Sequence, residues 1–143
     1  MRPLEDIYRI AEELQITVDH FRLSKREALS LMDDDGQCYI ALDPYRIASN
    51  LDERNKLAHE LGHCVTGSFY NRYAAIDSRQ RHENRADKWA ILQLIPVDEL
   101  DEAIAEGDTE FWELAERFGV SEQFVKKAIC LYVHGNVAEN LFF

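Results

Sequence analysis

Residues 56–65 read KLAHELGHCV, with His59 and His63 four positions apart and Glu60 directly after the first histidine. On a helix, side chains at i and i+4 stand one turn apart on one face, their Cβ atoms about 6 Å apart. Two imidazoles so placed can converge on one ion, with metal–nitrogen distances of about 2.0–2.1 Å for zinc. Glu60 leaves the helix roughly 100° around from His59, poorly placed as a third ligand but able to reach water at the ion's open position. That is the general-base arrangement of a metal-dependent hydrolase. The competing reading is a surface helix with two solvent-facing histidines. Leu57, Ala58, Leu61, Gly62 and Val65 argue against it: they make the helix apolar on most sides, and buried histidines and glutamates need partners.

A catalytic zinc site takes three protein ligands and keeps a position for water. Glu83, 20 residues after His63 and beyond a loop long enough to reverse the chain, is the best-placed third ligand. Within HENRADKWA, Glu83, Ala86, Asp87 and Ala90 share one helix face, and the small alanines would let this helix approach the first closely. Asp87 could accept the outer ring N–H of a ligating histidine and fix its tautomer. The competing reading for Glu83 is a solvated position among Arg79, Arg81 and Arg85. His82 is a weaker ligand candidate, because its side chain leaves from another face. Cys64 follows His63 and faces elsewhere on the helix, so it does not close the site.

The elements that must carry these residues are legible from periodicity and punctuation. PLEDIYRIAEEL spaces Leu4, Ile7, Ile10, Ala11 and Leu14 as a helix, with Pro3 in its first turn. QITVDHF predicts a short strand, and ALSLM and QCYIAL around DDDG predict a β-hairpin closed by Pro44. A helix follows over 50–66, capped by Ser49 or Asn50 and stopped by Gly67, with Leu51, Leu57, Ala58, Leu61 and Val65 as its apolar stripe. GSFYNRYAAIDS predicts a loop, and Ser78 a cap for a second long helix to Ile95, before Pro96. Shorter helices end at Gly107, Gly119 and Gly135. The predicted fold class is α+β: a small N-terminal antiparallel sheet or hairpin and a helical majority, with the HExxH helix packed on the Glu83-bearing helix.

The 143 residues fit one domain, 1–143, with helices of about 97–134 part of it. No apolar run approaches the roughly 20 residues of a membrane span. MRPLEDIYRI lacks the layout of a signal peptide, so the expectation is the cytoplasm. Cys38, Cys64 and Cys130 are odd in number and far apart, which predicts reduced, mostly buried thiols, and no CxxC pair offers a structural zinc knuckle. The net charge of −11 repels nucleic acid and anionic membrane alike, so neither is expected as a partner.

LAHELGH, then a loop, then ENRADKWAILQLIP resembles the ImmA/IrrE metallopeptidase family, in which HExxH is followed by a Glu-x-x-Ala helix ending near a proline. Here those positions are Glu83, Ala86 and Pro96. A ligand Glu with an Asp four residues on is similar to the gluzincin zinc peptidases. The hairpin segment CYIALDP and the trailing helices also fit. The likeness spans about residues 5–133 and is firmest over 54–96. Trp89-Ala90 stands where many members have Phe-Ala, a conservative packing change.

The resemblance implies a cytoplasmic endopeptidase with Zn2+ as cofactor, His59, His63 and Glu83 as metal ligands and Glu60 as the base that activates water. It also implies a protein substrate: a helix-turn-helix transcriptional regulator, cleaved by an enzyme of a prophage or mobile element. A further oxyanion donor is usual in such chemistry, and Tyr70, Tyr73 and His82 are the candidates, though most loop tyrosines serve packing. The rival reading is a non-catalytic module of the same fold that sequesters a repressor or toxin. Glu60 favours the enzyme, because a purely structural site needs no base.

LAERFGVSEQFVKKAI, residues 114–129, itself resembles a helix-turn-helix. Charge decides against DNA reading: Val97 to Cys130 carries ten acids and three bases, and only Lys126 and Lys127 would meet phosphates. Two packed helices, with Val120 and Val125 as a hydrophobic staple, are the plainer reading, and a docking surface for a basic partner is a third. The tail AENLFF receives no role.

Overall fold

Proline fixes its own φ and donates no N–H, and Pro3 stands at the N-cap of the first helix, one position ahead of the expected first turn. The computed structural model describes residues 1–69 and 76–135. Helix α1 (Leu4–Glu13) buries Ile7 and Ala11, one turn apart, whereas Leu14 falls past its end and is largely exposed. Three strands follow: β1 (Thr17–His20), β2 (Ala28–Met32) and β3 (Cys38–Leu42).

The hairpin is antiparallel as expected, in register from Ala28 opposite Leu42 to Met32 opposite Cys38. Its turn is held by Asp33, whose Oδ1 accepts the N–H groups of Asp35 and Gln37, with Gly36 at φ +84°. Strand β1 joins the other side of β3 in parallel, so the sheet is mixed, in the order β1-β3-β2. The apolar run of β3 explains its central place: Cys38, Ile40, Ala41 and Leu42 are all buried. Strand β2 is left at an edge and packs against the next helix.

That helix, α2 (Asn50–Thr66), is capped by Ser49, whose Oγ accepts the Asp52 N–H at 3.1 Å, and stopped by Gly67 in the left-handed region. Leu57, Ala58 and Leu61 are buried, while Leu51 and Val65, at the two ends of the predicted stripe, are exposed. Helix α3 (Ile76–Leu94) starts two residues ahead of Ser78, which therefore lies inside the helix rather than at its cap. Helices α4 (Val97–Ala105), α5 (Phe111–Phe118) and α6 (Glu122–His134) complete the α+β fold with its helical majority.

Two features fix the helices around α2. A side-chain carbon on Gly62 would overlap the carbonyl oxygen of Ala86 and lie 2.9 Å from its Cα. Glycine is thus what lets α2 and α3 touch backbone to backbone, against the alanine face foreseen on α3. The other feature is Arg54, wholly buried on α2. Its guanidinium donates to the carbonyls of Arg2 and Phe118 at 2.7 Å and of Gly119 at 3.0 Å. It thereby satisfies backbone oxygens at the end of α5 that the helix itself cannot.

The expectation of reduced thiols does not hold for two of the three cysteines. Cys38 on β3 and Cys64 on α2 form a disulfide, with Cα atoms 5.9 Å apart. They lie 26 residues apart in sequence and meet only because α2 packs on the sheet. Cys130, on α6, takes no part in this pair. Among the described residues no helix is long and apolar enough to cross a membrane.

Candidate metal centre

His59 and His63 occupy successive turns of α2, and the close approach at Gly62 brings Glu83 of α3 against both. Nε2 of His59 lies 2.8 Å from Oε2 of Glu83, and Nε2 of His63 lies 3.2 Å from Oε1. The two Nε2 atoms are 3.2 Å apart, with the rings edge to face at 89°. Three ligating atoms from residues 59, 63 and 83 therefore converge on one point. A tetrahedral zinc ion sets its ligand atoms about 3.3–3.4 Å apart, and one ligand atom from each of the three residues lies within 4.8 Å of the other two, close enough for one ion to gather them. Two imidazoles, one carboxylate and a side open to a cleft match the donor set of a catalytic zinc site, and the residues fit the ion.

Each imidazole is held from behind. His59 Nδ1 donates to Oδ1 of Asp87 at 2.9 Å, the place foreseen for that carboxylate. Its other oxygen, Oδ2, accepts from the Lys127 ammonium of α6 at 2.7 Å. His63 Nδ1 donates to the Ser68 carbonyl at 2.5 Å. Gly67, at φ +63°, turns the chain so that this carbonyl comes back over the ring. Both rings are thereby oriented with Nε2 facing the triangle.

Electrostatics follow from this packing. Burial disfavours the charged imidazole of His59, but Asp87 and Glu83, assisted by the charge of Glu60, overcome it and hold the pKa up at about 10. Burial also disfavours the Glu83 carboxylate, and the two imidazoles outweigh it and hold its pKa well below the usual range. Asp87 is likewise buried yet held low, by His59 and Lys127.

Glu60 stands beside the triangle without joining it, and Ser30 Oγ on β2 donates to its Oε1 at 2.7 Å. A cleft of about 670 Å³ opens over the triangle, lined by Arg26, Leu29, Leu31 and Met32 on the β2 side and by Phe69 beyond α2. Of the candidate oxyanion donors, Tyr70 and Tyr73 lie outside the described residues, as does the tail AENLFF. His82 precedes Glu83 on α3 and is not among the residues that line the cleft. Its pKa is lowered by burial and by the nearby charges of Arg85, His63 and Arg81.

Ser30 and Lys127 were not singled out for the site by sequence reasoning. Both act across the fold, 30 and 40 residues from the side chains they bond, and no local spacing announces them. Ser68 had a signal in Gly67, read only as a helix stop.

The family model described as Peptidase_M78, IrrE N-terminal-like domain, matches residues 8–129 of the chain. No curated protein matches it.

Proposed function

The chain belongs to the Peptidase_M78 family, that of the IrrE N-terminal-like domain, and from that membership we propose that it is a zinc-dependent endopeptidase. The observation that carries the reading is the triangle of His59, His63 and Glu83 with the unligated Glu60 beside it at the floor of an open cleft. Zinc held there would supply a Lewis acid that lowers the pKa of water and polarises a peptide carbonyl. Glu60 takes the proton of the attacking water and returns it to the leaving amine. Ser30 fixes the rotamer of Glu60 by donating to Oε1, and Asp87 and the Ser68 carbonyl keep both imidazoles aimed. Strand β2 is an edge strand along the cleft, so an extended substrate segment can add to it through main-chain hydrogen bonds.

On this reading the substrate is a helix-turn-helix transcriptional regulator, the enzyme serves a prophage or mobile element, and the reaction takes place in the cytoplasm. These points rest on the family likeness of LAHELGH and ENRADKWAILQLIP. The rival, a non-catalytic module that sequesters such a regulator, gives Glu60 and its Ser30 contact nothing to do. The experiment that separates them incubates the zinc-loaded chain with the repressor encoded beside it. Wild type cleaves the repressor, and Glu60→Gln retains zinc and binds it without cleaving. Undiminished cleavage by Glu60→Gln removes Glu60 as the base, and binding without cleavage by both proteins makes the chain a sequestering module.

A further inference from the structure

A second pocket, of about 320 Å³, runs along α2 from His59 and Glu60 back to Asn55 and Lys56. It shares His59 and Glu60 with the β2 cleft, and the corner between α5 and α6 closes it with Val120 and Phe124. Leu94 of α3 forms the remaining apolar wall. This corner is the helix-turn-helix look-alike that the site described above leaves without a use.

The polar groups around the pocket are already engaged within the protein. Asn55 Nδ2 donates to the Gly119 carbonyl at 2.9 Å, and its Oδ1 accepts from Arg54. Lys56 pairs with Glu27 at 2.7 Å and with Asp52. Asp87 is taken by His59 and Lys127, and Ser121 Oγ accepts the Phe124 N–H at 3.1 Å. What the walls offer a guest is apolar contact from Leu94, Val120 and Phe124. The volume is at the low end of the roughly 300–1,000 Å³ of small-molecule sites, a space for one large side chain rather than for an organic cofactor.

We propose that this pocket is the subsite for a large apolar side chain, that of leucine, methionine or phenylalanine, on the substrate residue at one side of the scissile bond. The proposal rests on the endopeptidase reading above, and it makes the α5–α6 corner a specificity wall. Because the pocket and the β2 cleft meet at His59 and Glu60, a peptide whose carbonyl is held at Glu60 can place one flanking side chain in each.

The test uses the full, zinc-loaded chain and a pool of internally quenched peptides randomised at the two positions flanking the scissile bond. Wild type is expected to prefer leucine, methionine or phenylalanine over alanine at one flanking position by about 10–100-fold. Val120→Phe fills the pocket and shifts that preference toward alanine by roughly tenfold, while Phe124→Ala enlarges it and admits tryptophan. The other flanking position keeps its preference and zinc content stays the same, which damage to the fold would not produce. If Val120→Phe does not fold, Phe124→Ala, which removes volume, decides the matter. Identical preferences in wild type and variants sink the subsite alone. Zinc-loaded wild type that cleaves no peptide in the pool removes the endopeptidase reading and the subsite with it.

Discussion

His59 is held at both ring nitrogens, by Asp87 on Nδ1 and Glu83 on Nε2. In the metal-free chain these carboxylates hold its pKa at about 10, so the imidazole is charged at neutral pH. That raised value stabilises the metal-free fold fully below the unfolded-state pKa of about 6.5, and the contribution is lost as pH rises through about 10. Zinc needs Nε2 without its proton, so loading the metal displaces it, and apparent affinity rises with pH up to that value. Calorimetric zinc titration near pH 7.5, in two buffers of different ionisation enthalpy, is expected to show release of about one proton. Release of none would contradict a charged His59 that gives up its proton to the ion. At this scale residue types and spacing were informative: His59, Glu60, His63, Glu83 and Asp87 all stood out before any geometry was known. The contacts of Ser30 with Glu60 and of Lys127 with Asp87 did not, because tertiary packing alone creates them.

The pairing of α2 with α3 positions all of these groups, and Gly62 is its critical contact. On helix propensity alone, Gly62→Ala would stabilise the chain by about 1 kcal/mol. The packing predicts the opposite, since the added methyl meets the Ala86 backbone. The helices must separate, at a cost of about 1–3 kcal/mol, and Glu83 moves away from the two imidazoles. Denaturant unfolding of the metal-free variant and a zinc titration measure both effects; unchanged or raised stability would refute the close approach. The helices were legible because capping is local: Ser49, Gly67, Gly119, Ser121 and Gly135 all stand at helix ends. Ser78 misled because the helix starts earlier, at Ile76, in a stretch without a strong cap signal. The parallel pairing of β1 with β3 and the Cys38–Cys64 bond were hidden for a shared reason. Both join segments distant in sequence, and strand direction and cysteine pairing depend on how those segments come together.

Across the whole molecule, connectivity gives the C-terminal helices a structural part in the site. Of the two lysines that a DNA-reading helix would present, Lys127 is turned inward to Asp87, and Lys126 lies over the Phe111 ring. A net charge of −11 opposes the approach of phosphates. Filter binding at about 150 mM salt is therefore expected to retain no generic duplex DNA; salt-insensitive retention would overturn this view of the α5–α6 corner. That corner is fastened instead to the N-terminus and α2 through Arg54, and to the metal triangle through Lys127.

The central claim, one ion held by His59, His63 and Glu83, is tested most directly by anomalous scattering at the zinc edge from crystals of the zinc-loaded chain. The account predicts a single strong peak within about 2.0–2.2 Å of Nε2 of His59, Nε2 of His63 and a Glu83 carboxylate oxygen. A zinc-loaded crystal with no peak there, or with its peak on other side chains, would contradict it.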